Sequence, residues 1–434
     1  MSRPLSKYGP LPWVLASTVA GSLSAFILTF TVPWFVLQTT GSAGRAGLVV
    51  FAQLIPLLLA RLLAGPVVDQ VGLRKLAVVC AIIEVGSVGT MALLAATDRI
   101  TYPALVGLIA LLGAASGAGV LAKSFLAPSA AKYVGLKESR GISMNTTAMT
   151  VGTVAGPLIG AVLAAVNPAA GMGMVAALLF ISGLIILRLP SGMEPDSKPQ
   201  EKEGYWKSLA GGIRYFGRDK LLVRLHVMLA VLGFLMAPMN GVVLPLWAKQ
   251  AGSGPQIIGV LTAVAACVGL VGSFVAIHLT EKVRPALIFA GGYLLLVPQL
   301  LVMALGVPLW GVMTVWIVAG FAGAFPPPVM ERITYHRPTP EFRSRVRALG
   351  SSSVYLGNAV GNLAVGLAID SFGLTAPLLG AAVIFVGTVV WVLSKPEVRQ
   401  LRPDIRSAEE LKDEEPTDEE HWSPPGDDPK RPML

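Results

Sequence analysis

Charged side chains are scarce inside the apolar stretches of this 434-residue chain, so the few that occur there are the first candidates for chemistry. Glu84 lies within the run 76–96, about 12 Å from its nearer charged flank at ~1.5 Å per helical residue. A carboxyl group removed from water favours its neutral form, so it can take up and release a proton. Arg61 lies in the preceding run, roughly 7 Å from its end by the same rise. It is placed to pair with Glu84 along the helix axes. The alternatives are a purely structural ion pair, or an arginine head reaching the lipid headgroups. Asp69 stands in Gly65-Pro66-Val67-Val68-Asp69-Gln70-Val71-Gly72-Leu73-Arg74-Lys75. Its carboxylate can accept N–H groups at a neighbouring helix start, where the dipole favours an anion. Gly65 and Gly72 permit close approach and positive φ. His226 and His278 fall near span ends and are expected at the interface.

The elements that hold these residues are set by hydropathy. The chain is 54% hydrophobic and 14% charged, with mean hydropathy +0.68. Soluble domains carry about 25% charged residues, so the composition indicates a membrane protein with many spans. A stretch of about 20 apolar residues crosses the hydrocarbon core as a helix. Twelve such spans are expected: 12–38, 45–66, 76–96, 102–123, 141–166, 169–189, 221–248, 256–279, 285–305, 308–330, 346–369 and 375–394. Several contain proline, which membrane helices tolerate because neighbours satisfy the freed carbonyls. The first run is too long for a cleaved signal peptide and lacks its small-residue cleavage site.

Orientation follows from Lys and Arg. With the N-terminus inside, cytoplasmic segments hold 30 of the 34 basic residues. The outer loops hold Arg45, Arg99 and Lys249, and Arg61 is within a span. This asymmetry predicts both termini in the cytoplasm. The net charge of +9 is therefore spent in short loops and does not indicate nucleic acid. Segment 1–11 reads as an N-terminal tail and 12–190 as a first six-helix bundle. Residues 191–220 read as a cytoplasmic linker, and 205–220 as an amphipathic helix on the inner leaflet. Residues 221–395 form a second bundle, and 396–434 a polar, disordered tail. The halves repeat: Pro33 matches Pro245 and Asp69 matches Glu281, while Ser139-Arg140, Gly152 and Gly156 match Ser344-Arg345, Gly357 and Gly361.

Enzyme chemistry finds no support. No phosphate-binding glycine loop ends in Lys-Ser/Thr, no His/Cys set has metal-ligand spacing, and Cys80 and Cys267 sit inside spans. No cofactor or metal is expected, and an ion gradient is the default source of energy.

Two stretches carry a family resemblance. The pattern Gly65-x-x-x-Asp69-x-x-Gly72-x-Arg74-Lys75 resembles the loop between the second and third helices of the major facilitator superfamily. Gly152-x-x-x-Gly156-Pro157-x-x-Gly160 resembles the helix-five motif of that family's drug antiporters, with Ala161 in place of a final glycine. Residues 32–43 are similar to the end of helix one in the macrolide and siderophore efflux branch. Two features depart from it: Gly21 is followed by Ser22 rather than an acid, and residues 108–113 of the fourth span hold no arginine.

The resemblance implies an all-α membrane fold of twelve helices in two pseudo-symmetric six-helix bundles, with a substrate site between the halves. It implies a monomeric, plasma-membrane transporter, proton-coupled and exporting hydrophobic small molecules by alternating access. Gly65, Asp69, Gly72, Arg74 and Lys75 would form a conformational latch on the cytoplasmic side. Glu84 and Arg61 are the candidates for proton coupling. Trp34, Gln38, Gln53, Ser116, Met236, Asn240, Trp247, Trp310, Trp316, Asn145, Tyr355 and Asn358 are the polar, aromatic and sulfur side chains available to the cavity. An uncharged set of this kind suits varied hydrophobic ligands. The rival readings are an uptake symporter for a polar nutrient, which calls for buried charges in the cavity helices, and a membrane receptor, which calls for a folded soluble domain.

Overall fold

The computed structural model describes residues 9–190, 205–252, 254–280, 282–339, 342–399 and 401. Side chains of 65–70, 121, 205–209 and 344 are outside that description. So are the expected N-terminal tail up to residue 8, the linker 191–204 and the tail from 402.

Among the described residues every regular element is helical. The first half contains α1 (Leu11–Thr40), α2 (Ala43–Val71), α3 (Leu73–Ala96), α4 (Tyr102–Ser124), the short α5 (Leu126–Tyr133), α6 (Glu138–Val166) and α7 (Pro168–Leu187). Helix α8 (Tyr205–Arg218) leads into the second half. There α9 (Lys220–Pro238) runs through a π-helical turn, Met239–Val243, into α10 (Leu244–Gln250). Then follow α11 (Gln256–Leu279), α12 (Pro285–Leu294), α13 (Val297–Ala304), α14 (Leu309–Ala322), α15 (Pro326–His336), α16 (Arg343–Phe372), α17 (Thr375–Leu393) and the single turn α18 (Pro396–Arg399). Taken together these give 12 stretches long and apolar enough to cross a membrane.

The breaks have local causes. Three expected spans are interrupted: the seventh at the π turn, the ninth beside Pro298 and the tenth at Gly323–Phe325 before three prolines. Proline removes a ladder donor and clashes with the preceding turn. Helix starts are capped where the chain allows it. Asn167 accepts from the amides of Ala169 and Ala170, and Asp219 from those of Leu221 and Leu222. The turn between the second and third spans is a single residue, Gly72, with φ +86° and ψ 149°. Helix α2 runs on to Val71, so Gly65 belongs to the helix and not to the turn.

The two ends of the molecule differ. Call proximal the end with the Gly72 turn, the start of α1 and the end of α17; the other end is distal. At the distal end the halves are joined. Helix α2 packs along α16, and α6 meets α11. A methyl group added at Gly47 would lie 2.1 Å from the carbonyl oxygen of Asn362, and one at Gly366 would lie 2.6 Å from that of Ala43. Phe30, Trp34 and Ala43 join the same buried cluster as Met239, Val243 and Trp247. Toward the proximal end, α6 instead exposes Ser143, Thr146 and Thr147. The molecule is closed distally and opens proximally.

Candidate functional site

The proximal opening is lined first by α6. Its residues Ser143, Met144, Thr147 and Val151 recur at helical spacing and, with Leu15 of α1 and Arg140, enclose a cavity of about 340 Å³. Asn145, one face over, accepts from the Thr18 hydroxyl of α1 at 2.9 Å. The Gly152, Gly156 and Gly160 series then draws α6 onto α1. Added methyl groups there would meet Ser22 at 2.3 Å, Phe26 Cβ at 2.4 Å and the Ile27 backbone at 3.0 Å. Small residues at this spacing let helices approach closely. The same motif also reaches across the halves: the Pro157 carbonyl, Leu158 and Ala161 border Gly259 of α11. The glycine motif is thus a joint between α1, α6 and α11.

The second half contributes the π turn. Asn240 is exposed, although Pro238, Met239, Gly241, Val242, Val243 and Leu244 around it are all buried. A lone exposed residue on an enclosed stretch faces a cavity rather than a continuous lipid surface. Met236, half-buried, lies one turn before it on the same face. The Asn358 amide of α16 donates to the carbonyls of Val354 and Gly233, at 3.1 and 3.3 Å. Asn362, one turn on, is buried and its Oδ1 has no hydrogen-bond partner, as is true of Trp34 Nε1. Buried polar atoms without partners are rare and mark places worth explaining.

The remaining expected cavity residues scatter. Gln53 packs its backbone against Gly113 of α4. Gln38 is exposed near the distal end of α1. Trp247 is buried and borders a separate distal cavity of about 540 Å³ with Gln250, Val307 and Thr375. Trp316 is enclosed in the core of the second half, and Trp310 is exposed. Ser116 is half-buried on α4.

The expected pairing of Arg61 with Glu84 is not what the structure holds. Glu84 binds Lys123 of α4, with Nζ to Oε2 at 2.9 Å. Helix α3 packs along α4 and α7, and touches α2 much less. Arg61 instead faces the other half, with its guanidinium 5.5 Å from the Tyr355 ring centroid. That is a cation–π contact across the α2–α16 seam. Lys123 belongs to the span end and its ammonium turns inward, which a count of loop charges does not register.

In the Gly72 turn, Arg74 donates to the Leu187 carbonyl at 2.6 Å, closing the end of α7 within its own half. Lys75 is exposed. The Asp69 side chain lies outside the described residues, as does that of Gln70. His226 is not interfacial but buried, edge-on to Phe216 at 5.1 Å, with Nδ1 2.8 Å from the Leu222 carbonyl oxygen. His278 is exposed, as expected.

Comparison with known proteins fits this arrangement. The sequence profile described as Major Facilitator Superfamily matches residues 14–297 and 229–426. The chain belongs to the Major Facilitator Superfamily. Relatives named multidrug efflux pump Tap include one from Mycobacterium tuberculosis, 28% identical over 404 residues, 91% of this chain and 96% of the relative. One from Mycolicibacterium fortuitum is 25% identical over 402 residues, 91% of this chain and 98% of the relative. Among solved structures, the nucleoside transporter NupG superimposes with TM-score 0.74 at 14% identity, over 91% of this chain and 99% of that one. A bacterial homolog of the lysosomal transporter Spinster, described as inward-facing and unoccupied, gives 0.69 at 15%, covering 91% and 97%. These likenesses establish the fold. This superfamily member is a multi-pass cell-membrane transporter and not an enzyme.

Proposed function

We propose that the protein exports hydrophobic small molecules, drug- or siderophore-like, by proton-coupled alternating access. The observation that carries this reading is the asymmetry of the halves. They are joined distally through α2–α16 and α6–α11, and part proximally around a cavity whose α6 wall is hydroxyl- and methionine-bearing. The relatives' printed names, multidrug efflux pump, supply the direction and the substrate class.

In this reading both termini lie in the cytoplasm, because Lys and Arg concentrate in proximal segments. The conformation described is then inward-facing and receives its substrate from the cytoplasm or inner leaflet. The chain works as a monomer in the bilayer, with 12–190 and 221–395 as its two rocking units. Met236 and Asn240 with the α6 hydroxyls contact the substrate. Glu84 carries the coupling proton, in exchange with Lys123 rather than Arg61. Asp69 latches the cytoplasmic side when that side closes.

The test is efflux of a panel of amphipathic drugs and siderophores from proteoliposomes, with and without an imposed pH gradient. Gradient-dependent uphill movement of at least one class is the expected result. Movement that ignores the gradient would remove proton coupling, and uphill accumulation in the reverse direction would remove efflux.

A further inference from the structure

Asp370 occupies an unfavourable place for a carboxylate. It stands in the last turn of α16, which ends at Phe372, where the helix presents its own unpaired carbonyl groups. The C-terminal dipole favours cations there and opposes an anion. Yet the carboxylate is fully engaged by the other half of the molecule. Its Oδ2 accepts from the Ser42 hydroxyl at 2.5 Å and from the Gly44 amide at 2.9 Å, and its Oδ1 from the Ala43 amide at 2.8 Å. These donors are the first turn of α2, the end of a helix that attracts anions. A short distance away the charges are reversed. Lys249, in the last turn of α10, donates to the Leu37 carbonyl near the end of α1 at 2.7 Å. Both bonds cross between halves, and both match a side-chain charge to the opposite pole of a helix.

The backbone beneath is shaped for this contact. Methyl groups added at Gly44 would lie 2.8 Å from Asp370 Oδ2 and 2.9 Å from Leu367 Cδ2. Added at Gly47 they would strike Asn362, and at Gly366 they would strike Ala43. Ser42 has a second role. Its oxygen accepts from the Arg45 amide at 3.0 Å, an N-cap bond inside the first half. If the halves part, α2 keeps that cap, so separation does not leave its start bare. The contact is built to be made and released.

We propose that Asp370, seconded by Lys249, is the positioning residue of the distal gate: it binds the start of α2 when the distal side is closed and lets go when that side opens. The carboxylate does not touch substrate. Its effect on transport is to set how often the molecule stands closed distally. This rests on the alternating-access reading, but gate opening is measured without any substrate.

The experiment uses the full chain in nanodiscs with Cys80 and Cys267 replaced. Spin labels sit on cysteines introduced at Thr97 after α3 and Leu305 after α13, one on the distal surface of each half. Pulsed electron resonance then reads the distance across the gate. Asp370→Asn should raise the population with the longer distance about three- to tenfold, the size of effect an anion at a helix start supports. Asp370→Glu should restore most of the short-distance population, and Lys249→Gln should shift it in the same direction as Asp370→Asn. An unchanged distance distribution in both Asp370→Asn and Lys249→Gln, with melting temperatures like the parent's, would overturn the proposal. Loss of folding in Asp370→Asn with no shift in folded Lys249→Gln would do the same. A failed efflux assay beside an intact distance shift would count against the efflux reading alone.

Discussion

Glu84 and Lys123 show how much one contact decides. The carboxylate is nearly enclosed, and Gly119 opposite leaves it room, since a methyl there would lie 3.5 Å from Oε1. Removing one member of a buried pair costs about 3–5 kcal/mol, because the other charge is left uncompensated, while removing both is far milder. Glu84→Gln should therefore abolish gradient-driven uphill efflux in proteoliposomes while leaving downhill exchange, if the residue carries the proton. Lys123→Leu alone should lower the melting temperature sharply, and Lys123→Leu with Glu84→Leu should recover a large part of that loss. Gradient-driven efflux by Glu84→Gln at the parent's rate would leave the coupling site elsewhere. Glu84 was legible in the sequence because it is an acid well inside a span. Its partner was not, since Lys123 reads as a loop cation until the direction of its side chain is known. Asp370 escaped for the same reason: it falls one residue past the expected end of the eleventh span, where linear order does not distinguish an exposed acid from one gripping another helix.

At the scale of elements, the glycines carry the testable claims. Gly72 has the extended, positive-φ conformation that is essentially reserved for glycine, at a cost of about 1–3 kcal/mol for other residues. Gly72→Ala should lower the melting temperature with little change in the spectroscopic helix content. Gly361 is tighter still: a methyl there would sit 2.0 Å from the Phe234 carbonyl oxygen. Gly361→Val should disrupt the α9–α16 contact and with it the second half, seen as loss of monodisperse protein on size exclusion. The repeat that pairs Gly156 with Gly361 was visible in the sequence, and both glycines prove to be helix-packing positions. The three interrupted spans were less visible, because hydropathy averages over a whole window and continues straight through a π turn or a proline break. The amphipathic pattern of 205–220 did emerge as α8. Its place against α16, with Tyr215 stacked on Phe342 at 4.6 Å, depends on tertiary contacts that no local pattern contains.

For the whole molecule, the closed distal end and open proximal end make an accessibility contrast. Thr147→Cys, in the proximal cavity, should react with a membrane-impermeant maleimide in inside-out vesicles. Ala46→Cys, buried at the distal seam, should remain unreactive in right-side-out cells until the gate opens. The reverse pattern would invert the assigned orientation. Replacement of Met236 or Asn240 by Ala should change the range of exported compounds without ending transport, because a polyspecific cavity spreads its contact energy. Equal loss for every compound would indicate damage to folding instead. Asp69→Asn should slow turnover strongly at unchanged membrane abundance. Near-normal efflux by that variant would remove the latch role. The Asp69 carboxylate and the Asp370 carboxylate would then be mirror devices at opposite faces, each an anion offered to a helix start.

The π turn at Met239–Val243 has a meaning for the chain's history as well as its shape. A π turn amounts to one residue added to an α-helix, and each residue turns the helix by about 100°. Everything beyond it, up to Gln250, is therefore wound about a quarter turn further than an uninterrupted helix would be. Lys249 is aimed at the end of α1 only because of that extra residue. Deleting Asn240 would straighten the helix, and by local geometry it would make a better one. It would also swing the ammonium away from Leu37, so a sequence one residue shorter here would gain regularity and lose its grip on the opposite half.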